Sequence, residues 1–473
     1  MNLDQFQFRG CLIAGKFVLP SQPNGSWSVQ NPSFPNRPGP KITYEFGLIP
    51  EAVRAARSAQ PGWEKTSLSE RLNWLKKWQS ILVEKKSVLV SALMVETGKP
   101  AWDAELELDR SIQLLSQIPI KLASTATGAP LGVLAAVTAS TEALESVVSF
   151  LASALVTGNA VVHKASEKTV ILAQVIAESI LESGLPSGVW NLLQGDRETG
   201  RRLCVHENID GILFTGSYDV SIRIKQDTLQ QHWKKLMLYT GGKNTILAWK
   251  GADLEKAVEW TIESAFSFCG QGAFSASRVI VHESIAQEFL EKLHQASKAF
   301  RIGPADANPF MGPMMDHGSV DRYMKFLGVA VREGAELVMR GKALELGKEG
   351  GFYVAPSIAY LKDNSIEATR KSIFQQSEMT SPFVTLIESD DQDHAIALAN
   401  ATQFGLCASL FSDPIEMEKW DRELDFGLIL KNQATTRRKG TESVIGRKKS
   451  GNHRKAGLGL LEECCWPVSE SGA

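Results

Sequence analysis

The sequence predicts an α/β protein built from two doubly wound domains. Three observations carry this. First, the chain has 473 residues, 43% of them hydrophobic and 22% charged, enough apolar material for more than one globular core. Second, from Gly132 short apolar runs alternate with helical patterns: "GVLAAV", residues 142–157, "AVVHK", "VILAQVIAESILESG", "GVWNLLQG" and "GILFTG". Alternation at this spacing means βαβ units and a parallel sheet. Third, the alternation resumes after Gly241 with "NTILAWK", "ADLEKAVEWTIESAFSFC", "SRVIVHE", "IAQEFLEKLHQASKAF" and "SPFVTLIES".

The remaining elements follow in order. "CLIAGKFVL" predicts an opening strand pair, residues 20–40 a loop rich in Pro, Gly and Asn, and residues 50–115 a layer of amphipathic helices. The start of the chain, with Asp4 and Arg9, lacks the apolar core of an export signal. The most apolar stretch is interrupted by Glu142 and Glu145, which argues against a transmembrane span. The six cysteines are scattered through a long chain, as expected of reduced thiols in a cytoplasmic protein. No C-x-x-C or H-E-x-x-H occurs, so no metal is expected, and a formal net charge of -2 points to no nucleic-acid or membrane partner.

Six motifs stand in a recognisable order: "ETGKP" (96–100), "GNAVVHKASE" (158–167), "SGVWNLLQGDRETG" (187–200), "FTGS" (214–217), "GGKN" (241–244) and "SGNHR" (450–454). With them the chain resembles the aldehyde dehydrogenase superfamily over nearly its whole length, and most closely its succinylglutamate semialdehyde dehydrogenase branch. The resemblance implies an NAD-binding domain over 1–112 and 133–240 and a catalytic-type domain over 241–435. It also implies a small β oligomerisation element over 113–132 and 454–473, and hence a homodimer or higher homo-oligomer. "ECCWPV" reads as a strand-like run suited to that element.

The family's chemistry needs a thiolate nucleophile, an oxyanion donor and a carboxylate base. At the matching positions this sequence has Ala273, Thr141 and Tyr239. A methyl group forms no adduct, and a phenol with a pKa near ~10 is a poor base at neutral pH. None of the three parts is intact, and the expectation is a pseudoenzyme. Cys269, four residues before Ala273, is either a buried inert thiol or a displaced nucleophile, the latter giving an NAD-dependent semialdehyde oxidoreductase. It reads as the end of a helix, where the negative end of the dipole disfavours a thiolate.

The cofactor site is better kept. The resemblance places the adenosine ribose at Lys164 and Glu167, with the carboxylate favouring NAD over NADP. It places the pyrophosphate at Phe214, Thr215, Gly216 and Ser217, with Ser217 as a helix cap. Glu378 matches the nicotinamide-ribose glutamate, although Thr380 stands where the family has Phe and Ser221 where it has Gly. Weak NAD binding is therefore expected, chiefly through its adenosine half. The segment 437–455 carries eight Lys/Arg against Glu442 alone. It reads either as a solvated loop or as a site for a partner or anionic ligand.

Overall fold

The structure, a computed structural model, describes residues 3, 6–37, 39–125, 128–346 and 350–467. Two seven-stranded sheets divide the chain near Thr240. The first is ordered Lys16–Val18, Cys11–Ile13, Trp190–Leu193, Ala160–Lys164, Val133–Val137, Gly211–Gly216 and Lys235–Thr240. Its last five strands are parallel, and the Cys11–Ile13 hairpin closes one edge antiparallel. The second is ordered Ala335–Met339, Ser357–Leu361, Phe383–Ser389, Ala276–His282, Asn244–Ala248, Cys407–Phe411 and Leu428–Lys431, and only its first strand is antiparallel.

These strands were visible in the sequence because helices cover both faces. Every residue of Ala160–Lys164, Asn244–Ala248 and Ala276–His282 is buried, so the strands read as continuous apolar runs rather than alternations. The helical layer is Leu48–Lys65, Leu68–Glu84, Lys86–Thr97 and Ala101–Ala123. Trp63, Trp74 and Trp78 from its first two helices pack ring against ring in the first core, with each indole N–H hydrogen-bonded.

Two "motif" residues are structural ties. Glu96 accepts from the Ile171 and Leu172 amides at 2.7 and 2.9 Å, capping the helix Val170–Ser183. Asn159 accepts from the Gly132 amide and donates to the Cys464 carbonyl, both at 2.9 Å, binding the C-terminal segment to the first domain.

Three expectations are corrected. The loop 20–40 contains the strand Gly25–Ser28, which pairs with Lys41–Tyr44. The expected β-element over 113–132 and 454–473 is largely helical: residues 113–123 complete the helix Ala101–Ala123, and Gly457–Gly459 and Leu460–Glu463 are helical turns. Among the described residues its β character reduces to the isolated bridge Pro130 with Cys465 and the Trp466 amide on the Ala129 carbonyl at 2.9 Å. Residues 126–127 and 468–473 lie outside the described residues. Thirdly, the helix expected to end at Cys269 stops at Phe266. Phe268, Cys269 and Gly270 follow with φ of 48, 56 and 64°. Left-handed backbone costs roughly 1–2 kcal/mol per non-glycine residue, so this turn is held by its surroundings.

Candidate functional site

In the first sheet the strand order reverses beside Val133–Val137, whose neighbours are Ala160–Lys164 on one side and Gly211–Gly216 on the other. Ligands of doubly wound sheets bind at the carboxyl ends of strands at such a point. A cleft of about 650 Å³ lies there, and its lining includes Thr138, Lys164, Glu167, Phe214, Thr215 and Arg201. Four of the expected cofactor residues therefore share one cleft. Lys164 Nζ sits 3.2 Å from the Glu167 carboxylate, which the ammonium helps hold below the ordinary carboxylate range although burial opposes it. A donor and an acceptor side by side, in a cleft of ligand size, fit the vicinal hydroxyls of a ribose.

Gly216 ends its strand, and Ser217 stands at the N-cap of the helix Tyr218–Asp227, where its hydroxyl makes no capping bond. The expected side-chain cap is thus absent. Ser221, at the family's glycine position, is buried and its hydroxyl donates to the Tyr218 carbonyl at 2.7 Å, so the helix accommodates it internally. Glu378 lies elsewhere, against Gly241: a Cβ added to that glycine would come within 1.4 Å of its carboxylate oxygen. Burial, with the nearby Glu142 carboxylate, pushes the Glu378 carboxyl up to about 7.

Beyond the carboxyl end of Lys235–Thr240, a cavity of about 110 Å³ separates the two sheets. Tyr239 and Ala273 both line it, together with Glu142, the neighbour of Thr141. Tyr239 and Ala273 therefore share the cavity, and Thr141 is linked to it through Glu142, but each has an unexpected partner. Tyr239 donates to the Lys455 carbonyl at 2.7 Å, and burial raises its phenol well above the usual value. Thr141 donates to Glu142 Oε2 at 2.8 Å, while Glu142 Oε1 accepts from the Ala273 amide at 2.8 Å. Gly272 leaves room for this, since a Cβ there would meet Glu142 Oε1 at 3.1 Å. Asn244 fixes the other side of the loop, donating to the carbonyls of Ala273 and Ser275 at 2.8 and 2.9 Å.

Glu142 is the residue that sequence reasoning missed. It registered there only as a charge interrupting an apolar run, and its partner lies 131 residues away. Burial raises its carboxyl above the ordinary value, with the Lys99 ammonium opposing.

Cys269 is fully buried in the core of the second domain, its sulfur 3.4 Å from the Met314 sulfur, and burial raises its thiol far above the ordinary value. It is not among the residues that line the cavity. Gln271 and Arg278, on either side of Ala273 in the chain, are structural. Gln271 accepts from the Met315 amide at 2.9 Å, and buried Arg278 donates to Gln375 at 2.8 Å.

The basic segment is largely paired within the chain. Arg437 pairs with Glu263 at 2.6 Å, Arg438 with Glu145 at 2.5 Å, and Arg447 and Lys448 with Asp425 at 3.1 and 3.3 Å. Arg454 pairs with Glu463 at 3.4 Å, and Lys455 pairs with Glu462. Six of the eight charges are thus paired within the chain, four of them through exposed side chains, while Lys439 and Lys449 have no ion pair among the described residues.

Comparison with known proteins now decides the family. A model of the "Aldehyde dehydrogenase family" matches residues 47–467. This chain belongs to the aldehyde dehydrogenase family. Its relatives include the N-succinylglutamate 5-semialdehyde dehydrogenase of Novosphingobium aromaticivorans, 29% identical over 90% of this chain and 92% of the relative. The alpha-ketoglutaric semialdehyde dehydrogenase of Bacillus subtilis is 32% identical over 86% of each. Among solved structures, PnpE of Pseudomonas sp. WBC-3, determined in complex with nicotinamide adenine dinucleotide, superposes with a TM-score of 0.90 at 26% identity, covering 97% of this chain and 96% of that one. No helix among the described residues is long and apolar enough to cross a membrane; none of them group as a metal site.

Proposed function

We propose that this aldehyde dehydrogenase family member is a pseudoenzyme that retains weak dinucleotide binding and acts through assembly or a protein partner. One observation carries the reading. The Ala273 amide, the backbone donor at the nucleophile's place, is occupied by the chain's own Glu142 carboxylate at 2.8 Å. A substrate oxygen developing negative charge would have to displace one that is already there, and a methyl group offers nothing to attack it.

Chemistry and binding are tested separately. With succinylglutamate semialdehyde or aliphatic aldehydes and NAD, no NADH should form above the enzyme-free rate. Turnover abolished by Cys269→Ala would establish the displaced-nucleophile enzyme instead. Ala273→Cys alone should recover little, because Glu142 still holds the amide and Tyr239 still stands at the base position.

NAD supplies a hydride acceptor in the family. In this chain Lys164 and Glu167 would hold the adenosine ribose, and the backbone from Phe214 to Ser217, before the helix Tyr218–Asp227, would meet the pyrophosphate. Calorimetry should give comparable affinities for NAD and ADP-ribose and weaker binding of NADP. Absence of heat with all three would leave assembly as the remaining role.

A further inference from the structure

Two adjoining chambers flank the loop at Ala273. The larger, about 110 Å³, has Glu142, Glu442, Phe150 and Phe274 in its wall. The smaller, about 30 Å³, has Asp103, Glu142, Ser275 and Phe274 together with the cations Lys99, Arg110 and Arg438. That smaller volume is room for a water-sized group.

The cations around the chambers are already matched. Lys99 pairs with Glu107 at 2.5 Å, Arg110 and Arg438 with Glu145 at 2.9 and 2.5 Å, and Arg437 with Glu263 at 2.6 Å. Asp103, Glu142 and Glu442 have no ion-pair partner among the described residues. Asp103 is only 6% exposed, and its Oδ2 has no hydrogen-bond partner. The Ser275 hydroxyl in the same chamber and Glu442 Oε2 in the larger one are also without partners. Burial raises the Asp103 carboxyl above the ordinary range and outweighs Lys99 and Arg110, which attract it without pairing with it; a buried carboxylate in this condition costs several kcal/mol unless a proton or a cation meets it. The walls also offer aromatic faces, which attract cations. Arg438 illustrates the combination, its guanidinium 4.0 Å over the Phe274 ring with Glu145 at 2.5 Å.

We propose that the paired chambers bind a small organic cation, an unbranched alkylammonium whose head meets Asp103 and Ser275 and whose stem lies along Phe274 and Phe150. The proposal rests on the reading above only in giving the cavity no aldehyde chemistry. It makes the ligand opposite in charge to an acidic semialdehyde.

Calorimetry of the full chain at pH 7 with butylammonium, butanol and succinate tests it. Butylammonium should give saturable heat, and the other two none. Asp103→Asn should weaken butylammonium binding at least about tenfold, the loss expected for one charge-assisted hydrogen bond. Glu442→Gln, at a less buried position, provides a second variant should Asp103→Asn fail to melt cooperatively, and it too should weaken binding. Succinate bound in preference, no heat with butylammonium, or unchanged affinity in folded variants would each overturn the proposal. None of these outcomes alters the NADH assay, so the failure of one reading is distinguishable from that of the other.

Discussion

Glu142 reaches the Ala273 amide from the start of the helix Ala143–Val156, and Thr141 orients its second oxygen. A carboxylate so placed acts on any group introduced at position 273. A thiol there would ionise beside a negative charge, and both that repulsion and partial burial raise a thiol pKa. The thiol of the Ala273→Cys variant should therefore titrate above the ordinary ~8.5. Adding Glu142→Gln should bring it down while leaving a hydrogen-bond acceptor of the same shape. The pH dependence of iodoacetamide alkylation reads both, with Cys269 kept silent by burial. Coincident profiles in the single and double variants would show that Glu142 carries no charge at the loop.

Between elements, Glu107 has two functions. From the helix Ala101–Ala123 it binds the Lys99 ammonium at 2.5 Å and accepts from the Leu144 and Glu145 amides at 2.8 and 3.2 Å, so it caps the helix that carries Glu142. Both partners of the ion pair are buried, with side chains 3% and 0% exposed. Breaking such a pair from one side strands a charge, so Glu107→Ala should cost about 3–5 kcal/mol in urea unfolding. The double variant Lys99→Met, Glu107→Leu should cost less than Glu107→Ala. A single variant within about 1 kcal/mol of the parent would remove this account.

The same contrast explains what the sequence showed. The parallel strands were legible because burial on both faces makes them apolar throughout, and helices such as Leu254–Phe266 because one face is apolar. The small pair Gly25–Ser28 and Lys41–Tyr44 was not, because it is only partly buried and its sequence is that of a loop. Side-chain pairings such as Arg438 with Glu145 or Glu142 with Ala273 join residues hundreds of positions apart, or more than a hundred, and leave no local pattern. Ala273 was read from its motif; Glu142, which holds its amide, was not.

At the scale of the molecule, the C-terminal segment and the end of the helix Ala101–Ala123 expose Trp466 and Ile120, at 52% and 63%. These apolar side chains sit where the family resemblance implied subunit pairing. We expect a homo-oligomer by light scattering at micromolar concentration, shifted toward monomer by Trp466→Glu; a monomeric parent chain would end that expectation. The junction of the two domains adds a pH dependence. Gly241 and Gly242 link the sheets, and beside them lie Glu378 and buried Lys243, whose ammonium donates to the Phe374 carbonyl at 2.9 Å. Burial pushes Glu378 up to about 7 and Lys243 down to about 7, with Arg278 adding to the latter. In the unfolded chain their values are near ~4.3 and ~10.4. From pH ~4.3 to 7 the folded state holds a proton on Glu378 that the unfolded chain releases, so this contribution to stability falls as pH rises. From pH 7 to ~10.4 the unfolded chain holds a proton on Lys243 that the folded state lacks, so that contribution rises with pH. The two together give a minimum near neutrality. Urea midpoints measured from pH 5 to 9 should show the alkaline limb flattened by Lys243→Met and the acid limb by Glu378→Gln, each relative to the parent. A Lys243→Met profile running parallel to the parent above pH 7 would mean that the lysine stays charged inside the junction, and that the Phe374 carbonyl and Glu378 together outweigh its burial.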